Sequence, residues 1–455
     1  PSCRAGPTID RGGGTDVRVQ IERLAHLGLG LGRVEGRVWL VPFTAPGDVV
    51  EADVVHEHRG WVEACLREVL QPGPDRVEPG CPVYGQCGGC HLQHVAAARQ
   101  PALKAGILAD QLRRIARIEG PEPSIVAGGP WAYRCRIELH GLAAPIRPRL
   151  GFFARQSHRM VCPDACPIAM EPLSAAIPAL REVLPGLLPT GPFTLEPVAG
   201  EDGGMVAVAR GDLPDLEMAA TVLAGLPGFS GAAATCPRRG STEWSVAGDL
   251  ASRFPTDDGC GGRTCLSLDP RGFSQANLAL NPALAATIRD LAGIEAGTRV
   301  LELYAGAGNL TVPLALAGAA VTAVERNREA LAQNGRELES RGLHADLLAA
   351  RVEEVADRLA RASPAPEVVV ADPPRTGMGL AAARALATLP ASRVVLCACD
   401  PATMARDLVP FLDAGFTLDR LVLVEMFPQT FHLETVARLA RPSDRQAVPA
   451  GPVLR

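Results

Sequence analysis

The sequence predicts a multidomain chain: an N-terminal β-barrel of the OB type, a central α+β domain, and a C-terminal Rossmann-like α/β domain. Three observations predict it. Short β-prone pieces follow one another at even spacing from Val17 to about Leu70. A cysteine cluster opens a stretch of mixed strand and helix patterns at Cys81. From Phe273 onward strand and helix patterns alternate regularly. A chain of 455 residues has length for several domains, each able to bury a core.

Residues 1–14 are glycine-rich and without apolar periodicity, and are expected to form a flexible tail. The barrel is read from VRVQIERL, GRVEGRVWLVPF, GDVVEADVVHEH and WVEACLREVL, strands short enough to close into a small barrel or sandwich. It is read as residues 15–72. The central domain, residues 73–268, includes RCRIELH, LGFFARQ and GMVAVAR as strands. Leu103–Ile118 has apolar residues at three- and four-residue spacing, which predicts a helix. In residues 269–455, RVLELYA, AAVTAVE, VVVADPP and RVVLCAC read as strands. The segments LTVPLALAG, REALAQNGRELESRG, LAAARALATL and MARDLVPFLDAG read as the helices between them. That order predicts a mostly parallel sheet covered on both faces, and LDRLVLVEMF with HLETVARLA closes it as an antiparallel hairpin.

Hydrophobic residues make up 47% and charged residues 21%, the balance of a folded chain. No apolar run approaches the roughly 20 residues a membrane span needs. No charged-then-apolar leader opens the sequence, so a cytoplasmic location is expected. The net charge of −5 does not by itself announce a nucleic-acid binder. Its distribution says more: residues 131–160 hold Arg134, Arg136, Arg147, Arg149, Arg155 and Arg159 against the single acid Glu138. Lys104 is the only lysine, so the basic surface is arginine, suited to forked contacts with phosphate. The barrel is acidic, with six arginines against nine acids in residues 16–68, so RNA contact there competes with a packing role.

Thirteen cysteines are too sparse for a disulfide scaffold, and their clustering suits a metal site. Cys81, Cys87 and Cys90 lie in CPVYGQCGGC, where glycines let the backbone fold round a ligand. Three thiolates leave one position open on a tetrahedral zinc ion or on a cluster corner, and spacing alone does not choose between the two.

Gly306 and Gly308 follow the strand LELY and precede a helix, a turn that lets backbone approach a nucleotide cofactor. Glu325 ends the next strand, where a carboxylate can accept both ribose hydroxyls. The third glycine of a dinucleotide loop is replaced by Thr311, which argues against nicotinamide chemistry. Cys399, in VVLCACDPATMARDL, and Glu434, in EMFPQTFHLETV, suggest a nucleophile and a base at the open end of the sheet. The neighbouring Cys397 is expected to be buried on the other face of its strand.

These phrases resemble the S-adenosylmethionine-dependent RNA uracil-5-methyltransferases, and in particular the bacterial 23S ribosomal RNA branch, over about residues 15–440. LAHLGLGLGRVEGRVWLVPFTAPGDVV is similar to the TRAM domain of RNA-modifying enzymes. The resemblance implies Cys399 as nucleophile toward uracil C6 and Glu434 as the base that removes the C5 proton. It implies Gln275 of FSQAN, Tyr304, Glu325 and Asp372 of DPPR as contacts of S-adenosylmethionine, beside Gly306 and Gly308. It also implies a [4Fe-4S] cluster, with Cys166 of GFFARQSHRMVCPDACPIAM as fourth ligand and Cys162 as the near competitor. The implied partner is 23S ribosomal RNA or a pre-ribosomal particle, met by a monomer.

Two departures stand out. The family phrase SCNP reads Ala398-Cys399-Asp400-Pro401 here, and an acid beside the thiol would raise its pKa unless it points away. The third-strand Gly-Asp is missing near Ala350 and Arg351, which leaves adenine contacts open. The target uridine would have to be splayed from its stack, with the arginines of 134–159 holding flanking phosphate and Phe427, Phe431 or Trp131 stacking on bases. Two other readings remain: methylation of transfer RNA, and a non-catalytic iron–sulfur RNA-binding protein, which would leave Cys399 and Glu434 unexplained. Bound-cofactor mass separates all of these from a nicotinamide enzyme.

Overall fold

A computed structural model describes residues 17–142, 149–187, 191–237, 243–352, 354–355 and 364–442. The N-terminal tail read from the sequence, and Arg147, lie outside the described residues.

Strands Val17–Ala25, Leu29–Val34, Arg37–Val41, Trp61–Gln71 and Val49–Glu57 close, in that order, into a barrel. Every second side chain points inward: Val19 and Ile21, Trp39 and Val41, Val50 and Ala52, Val62, Ala64 and Leu66 form its core. Gly32 is required at a close crossing, because a Cβ there would lie 2.3 Å from the Gln20 carbonyl.

The central part is a seven-stranded sheet in the order Trp244–Gly248, Phe229–Thr235, Met205–Gly211, Phe193–Ala199, Leu139–Leu142, Arg149–Phe153, Met160–Val161. All its pairings are antiparallel except Met205–Gly211 with Phe229–Thr235. Helices Glu171–Glu182 and Leu216–Ala224 bury Leu173, Ile177, Leu180, Ala220 and Leu223 against Leu139, Leu195 and Ala207. A separate hairpin, Ser252–Asp257 with Arg263–Leu268, reaches toward the C-terminal sheet.

That sheet has eight strands, ordered Asp346–Ala349, Ala320–Glu325, Arg299–Leu303, Val368–Ala371, Arg393–Ala398, Glu434–Ala440, Thr417–Val424 and Ser124–Val126. The first five run parallel, and Glu434–Ala440 is antiparallel to both its neighbours. Helices Leu380–Ala387 and Pro401–Asp413 cover one face with Leu108 and Leu112; Asn281–Ala292 and Thr311–Leu316 cover the other. The helix read at Leu103–Ile118 runs as Gln100–Gln111 and then widens to a π-turn over Leu112–Ala116, ending at Arg117 in the left-handed region. It packs on the C-terminal sheet, and Ser124–Val126 adds a strand to that sheet's edge. This stretch of the sequence-read central domain therefore belongs, by packing, with the C-terminal layers. Among the described residues no helix is long and apolar enough to cross a membrane.

Candidate active site

Strand order reverses between Arg299–Leu303 and Val368–Ala371, and such a point opens a crevice at the carboxyl ends of the strands. Tyr304 and Asp372 are the first residues past those two strands, so both enter the crevice. Tyr304 has φ 61°, and Gly306 and Gly308 have φ 55° and 100°, so the chain turns sharply through left-handed geometry here. A Cβ on Gly308 would meet the Asn334 side chain at 2.7 Å, whereas one on Gly306 would meet nothing.

Gln275, Tyr304, Gly306 and Asp372 line one cavity, together with Glu302 and Asn309. Gly308 and Glu325 stand behind its wall. Glu325 accepts the Gly306 N–H at 3.1 Å through one oxygen and the Asn327 N–H at 2.6 Å through the other. Each oxygen keeps a lone pair for a hydroxyl donor. Phe254 and Leu268 of the hairpin close the cavity from the central side. Arg351 is exposed at the end of the third strand.

Glu302 was not singled out in the sequence. It is 1% exposed, one of its oxygens has no partner among the described residues, and burial pushes its pKa up to about 8. The signal was available: an acid two residues before the loop tyrosine, on the strand's cavity-facing parity.

Cys399 and Glu434 meet across two adjacent strands. Cys397 pairs with Val436 and Ala398 with Thr435, so the next step of the register sets Cys399 opposite Glu434. Burial, then Glu434 and Asp372, push the half-buried Cys399 thiol up to about 12, and Arg375 opposes them. Cys397 is buried, but it is not on the opposite face. Residues i and i+2 of a strand share a face, and its Sγ donates to Glu434 Oε1 at 3.1 Å. Asp372, Cys397 and Glu434 bring their polar atoms within 4.8 Å of one another. Burial raises both carboxyls, Asp372 raises Glu434 further, and the Cys397 thiol opposes the shift at each. Gln275 Nε2 donates to Asp372 at 3.3 Å, linking the cofactor cavity to this group.

The acid beside Cys399 is turned toward the following helix. Asp400 caps the helix Pro401–Asp413, accepting the N–H groups of Ala402 at 3.0 Å and Thr403 at 2.8 Å. It is the last of the groups acting on Cys399.

The loop that delivers Glu434 is held from the helix Gln100–Gln111. Lys104 is fully buried and donates to Glu425, to the Phe427 carbonyl at 3.0 Å and to the His432 carbonyl at 2.7 Å. Gln100 exchanges hydrogen bonds with Gln429, whose carbonyl accepts the His91 and Leu92 N–H groups. Arg375 donates to the His432 ring at 2.8 Å, and burial drives the His432 pKa down to about 2, so this ring is neutral.

The arginine band is divided. Arg136 is committed to Glu196, Ser274 and the Gly272 and Pro270 carbonyls, which removes it from any phosphate surface. Arg149 and Arg159 are exposed, Arg155 lies over the Phe43 ring, and Arg134 lines the cysteine cavity. Trp131 is exposed, and Phe427 and Phe431 are half-buried.

Cys81, Cys87, Cys90 and Cys166 line one cavity of about 170 Å³. Cys162 is exposed and not part of its wall. Gly88 brings the loop against strand Arg149–Phe153 by donating to the Phe153 carbonyl at 2.9 Å. Burial pushes Cys87 up to about 11 and Cys90 up to about 12, so the thiols shed their protons only to a positive centre. Four thiols on one cavity wall suit a thiophilic centre, a zinc ion or an iron–sulfur cluster.

Sheet order, cofactor cavity and the group at the strand ends define a Rossmann-fold methyltransferase carrying an N-terminal barrel. The family model "tRNA (uracil(54)-C(5))-methyltransferase, TRAM domain" matches residues 17–74, and "tRNA (Uracil-5-)-methyltransferase" matches 269–441. The 23S rRNA (uracil(1939)-C(5))-methyltransferase RlmD of Halomonas elongata is 35% identical over 96% of this chain and 93% of its own. That of Pseudomonas entomophila is 34% identical over 93% of each. The crystal structure of Pyrococcus abyssi tRNA (uracil-54, C5)-methyltransferase with S-adenosyl-L-homocysteine superposes with a TM-score of 0.70, covering 93% of this chain and 100% of that one at 24% identity. The chain belongs to the family of S-adenosylmethionine-dependent RNA uracil-C5-methyltransferases.

Proposed function

We propose that the protein methylates C5 of a uridine in 23S ribosomal RNA, with Cys399 as nucleophile and Glu434 as base. The observation that carries this is the register that ends at Ala398 opposite Thr435, which sets Cys399 beside Glu434 and Asp372 next to the cavity lined by Gln275 and Tyr304. Uracil C5 is a poor nucleophile. Attack of the Cys399 sulfur on C6 moves electron density onto C5, splitting one difficult step into easier ones. S-adenosylmethionine, when bound, supplies an electrophilic methyl group to that carbon. Glu434 then takes the C5 proton, the C5–H electron pair becomes the C5–C6 double bond, and Cys399 leaves as thiolate. Asp372 orients a uracil N–H, and Arg375 favours the thiolate form of Cys399. Gln275, Tyr304, Gly306, Gly308, Glu325 and Asp372 hold the methyl donor. We read the barrel as residues 15–72, the central domain as 73–268 except for the helix Gln100–Gln111 and strand Ser124–Val126, which pack with the C-terminal layers, and the methyltransferase domain as 269–455.

Cys81, Cys87, Cys90 and Cys166 would hold a [4Fe-4S] cluster, a reading supported by four thiols lining one cavity. Its contribution is structural: it would fix the loop whose next residues, His91 and Leu92, bond the Gln429 carbonyl.

The ribosomal substrate rests on the likeness to the RlmD enzymes along nearly the whole chain. Transfer RNA is the second reading, because both matching family models carry transfer-RNA names. The test uses protein purified without oxygen, unmodified ribosomal and transfer RNA, methyl-labelled cofactor and nucleoside mass spectrometry, with Cys399→Ala as control. We expect 5-methyluridine in ribosomal RNA alone, and none with the variant. Label in transfer RNA alone overturns the substrate, and product from Cys399→Ala overturns the nucleophile.

A further inference from the structure

We propose that Cys397 is a positioning residue for the base: its thiol occupies Oε1 of Glu434, leaving Oε2 as the atom that takes the C5 proton. This rests on the reading of Glu434 as base.

The thiol lies 3.1 Å from Oε1, with Cys397 and Glu434 only 1% and 3% exposed. Among the described residues no other group donates a hydrogen bond to this carboxylate. A buried carboxylate without a donor is held by packing alone and is free to rotate its charge away from the substrate. The one donor here sits two residues before the nucleophile, near the end of strand Arg393–Ala398, so that strand and its immediate continuation set both the attacking sulfur and the orientation of the base.

The electrostatic surroundings make that donor consequential. Asp372, just past the end of Val368–Ala371, shares the pocket, repels a second negative charge and competes with Glu434 for the single Cys397 thiol proton. Cys399 and Asp400 follow on the chain of Cys397 itself, and Arg375 lies in the turn after Asp372. Lys104 pairs with Oε1 of Glu425 behind the loop. A thiol hydrogen bond favours the ionised form of Glu434, which a base requires. Through the step Cys397 keeps its own proton. Glu434 gains one on Oε2, the C5–H pair forms the ring double bond, and the C6–S pair returns to Cys399.

The experiment compares Cys397→Ala, Cys397→Ser and Glu434→Gln with the parent chain on ribosomal RNA. It reads kcat against pH, and the fraction of protein covalently attached to methylated RNA after denaturation. Thermal midpoint and S-adenosylhomocysteine binding report on folding. A base defect blocks release after methyl transfer, so adduct accumulates; a general packing defect lowers adduct and turnover together. We expect Cys397→Ala to lower kcat about tenfold near neutrality, to move the acid limb of the profile to higher pH, and to accumulate adduct. Cys397→Ser, which keeps a donor, restores the limb. An unshifted limb without adduct in Cys397→Ala, or equal defects in Ser and Ala, overturns the inference while Glu434→Gln still accumulates adduct. Absence of adduct in Glu434→Gln instead removes the base assignment, and this inference falls with it.

Discussion

The ammonium of Lys104, the chain's only lysine, donates to the carbonyl of His432 at 2.7 Å, two residues before Glu434. The same ammonium bonds the Phe427 carbonyl and the Glu425 carboxylate, so its three N–H donors meet three acceptors. The loop from Glu425 to Leu433 is thereby fixed from a helix more than 320 residues earlier in the chain.

Replacing Lys104 by Met strands the buried Glu425 carboxylate and frees two carbonyls. Breaking a buried pair in this way costs about 3–5 kcal/mol. Chemical denaturation is expected to show that loss, and Lys104→Met with Glu425→Leu to recover a large part of it. A single variant as stable as the parent would mean that the pair contributes nothing.

Asp400 replaces an asparagine of the resembled phrase without changing its work, because either side chain caps a helix about equally well. Asp400→Asn should therefore leave stability within about 0.5 kcal/mol, whereas Asp400→Ala should cost about 1 kcal/mol. Loss of the nearby negative charge moves the Cys399 pKa down slightly, seen as faster thiol alkylation at fixed pH.

Glu302 gives a pH signature. Its folded-state pKa, about 8, lies above the ordinary carboxylate value, so the native state binds the proton more tightly than the unfolded state. The stability linked to that proton is fully present below the unfolded pKa and is lost as pH rises toward 8. Glu302→Gln removes the dependence. Its thermal midpoint relative to the parent is expected to rise between pH 5 and pH 8, and a constant difference would count against the shift.

The cysteine cavity separates two neighbours. Cys166→Ala is expected to lose iron, acid-labile sulfide and visible absorption in protein purified without oxygen, and Cys162→Ala to keep them. Zinc at one equivalent in the parent chain would replace the cluster by a single ion.

The sequence by itself determined the three-part order, the alternating strands and helices after Phe273, and the cofactor turn at Gly306 and Gly308. These are local patterns: period-two burial in strands, helical spacing, and glycine where φ is positive. That Cys81, Cys87 and Cys90 share one cavity wall was legible for the same reason, the three being close in the chain. Tertiary structure alone decided what depends on distant partners. Cys166 rather than Cys162 lines the cavity, its backbone held by the Ser174 hydroxyl and the Ala169 N–H. Asp400 is turned toward the helix that begins there. Arg136, read as phosphate-facing, is drawn inward by Glu196 and the backbone of residues 270–274. Cys397 joins the carboxylates because antiparallel pairing with Glu434–Ala440 brings a strand end from 37 residues away onto its face. Composition and spacing carry no information about which of two nearby thiols or acids a fold turns inward, since that choice is set by the free energy of pairing groups far apart in sequence.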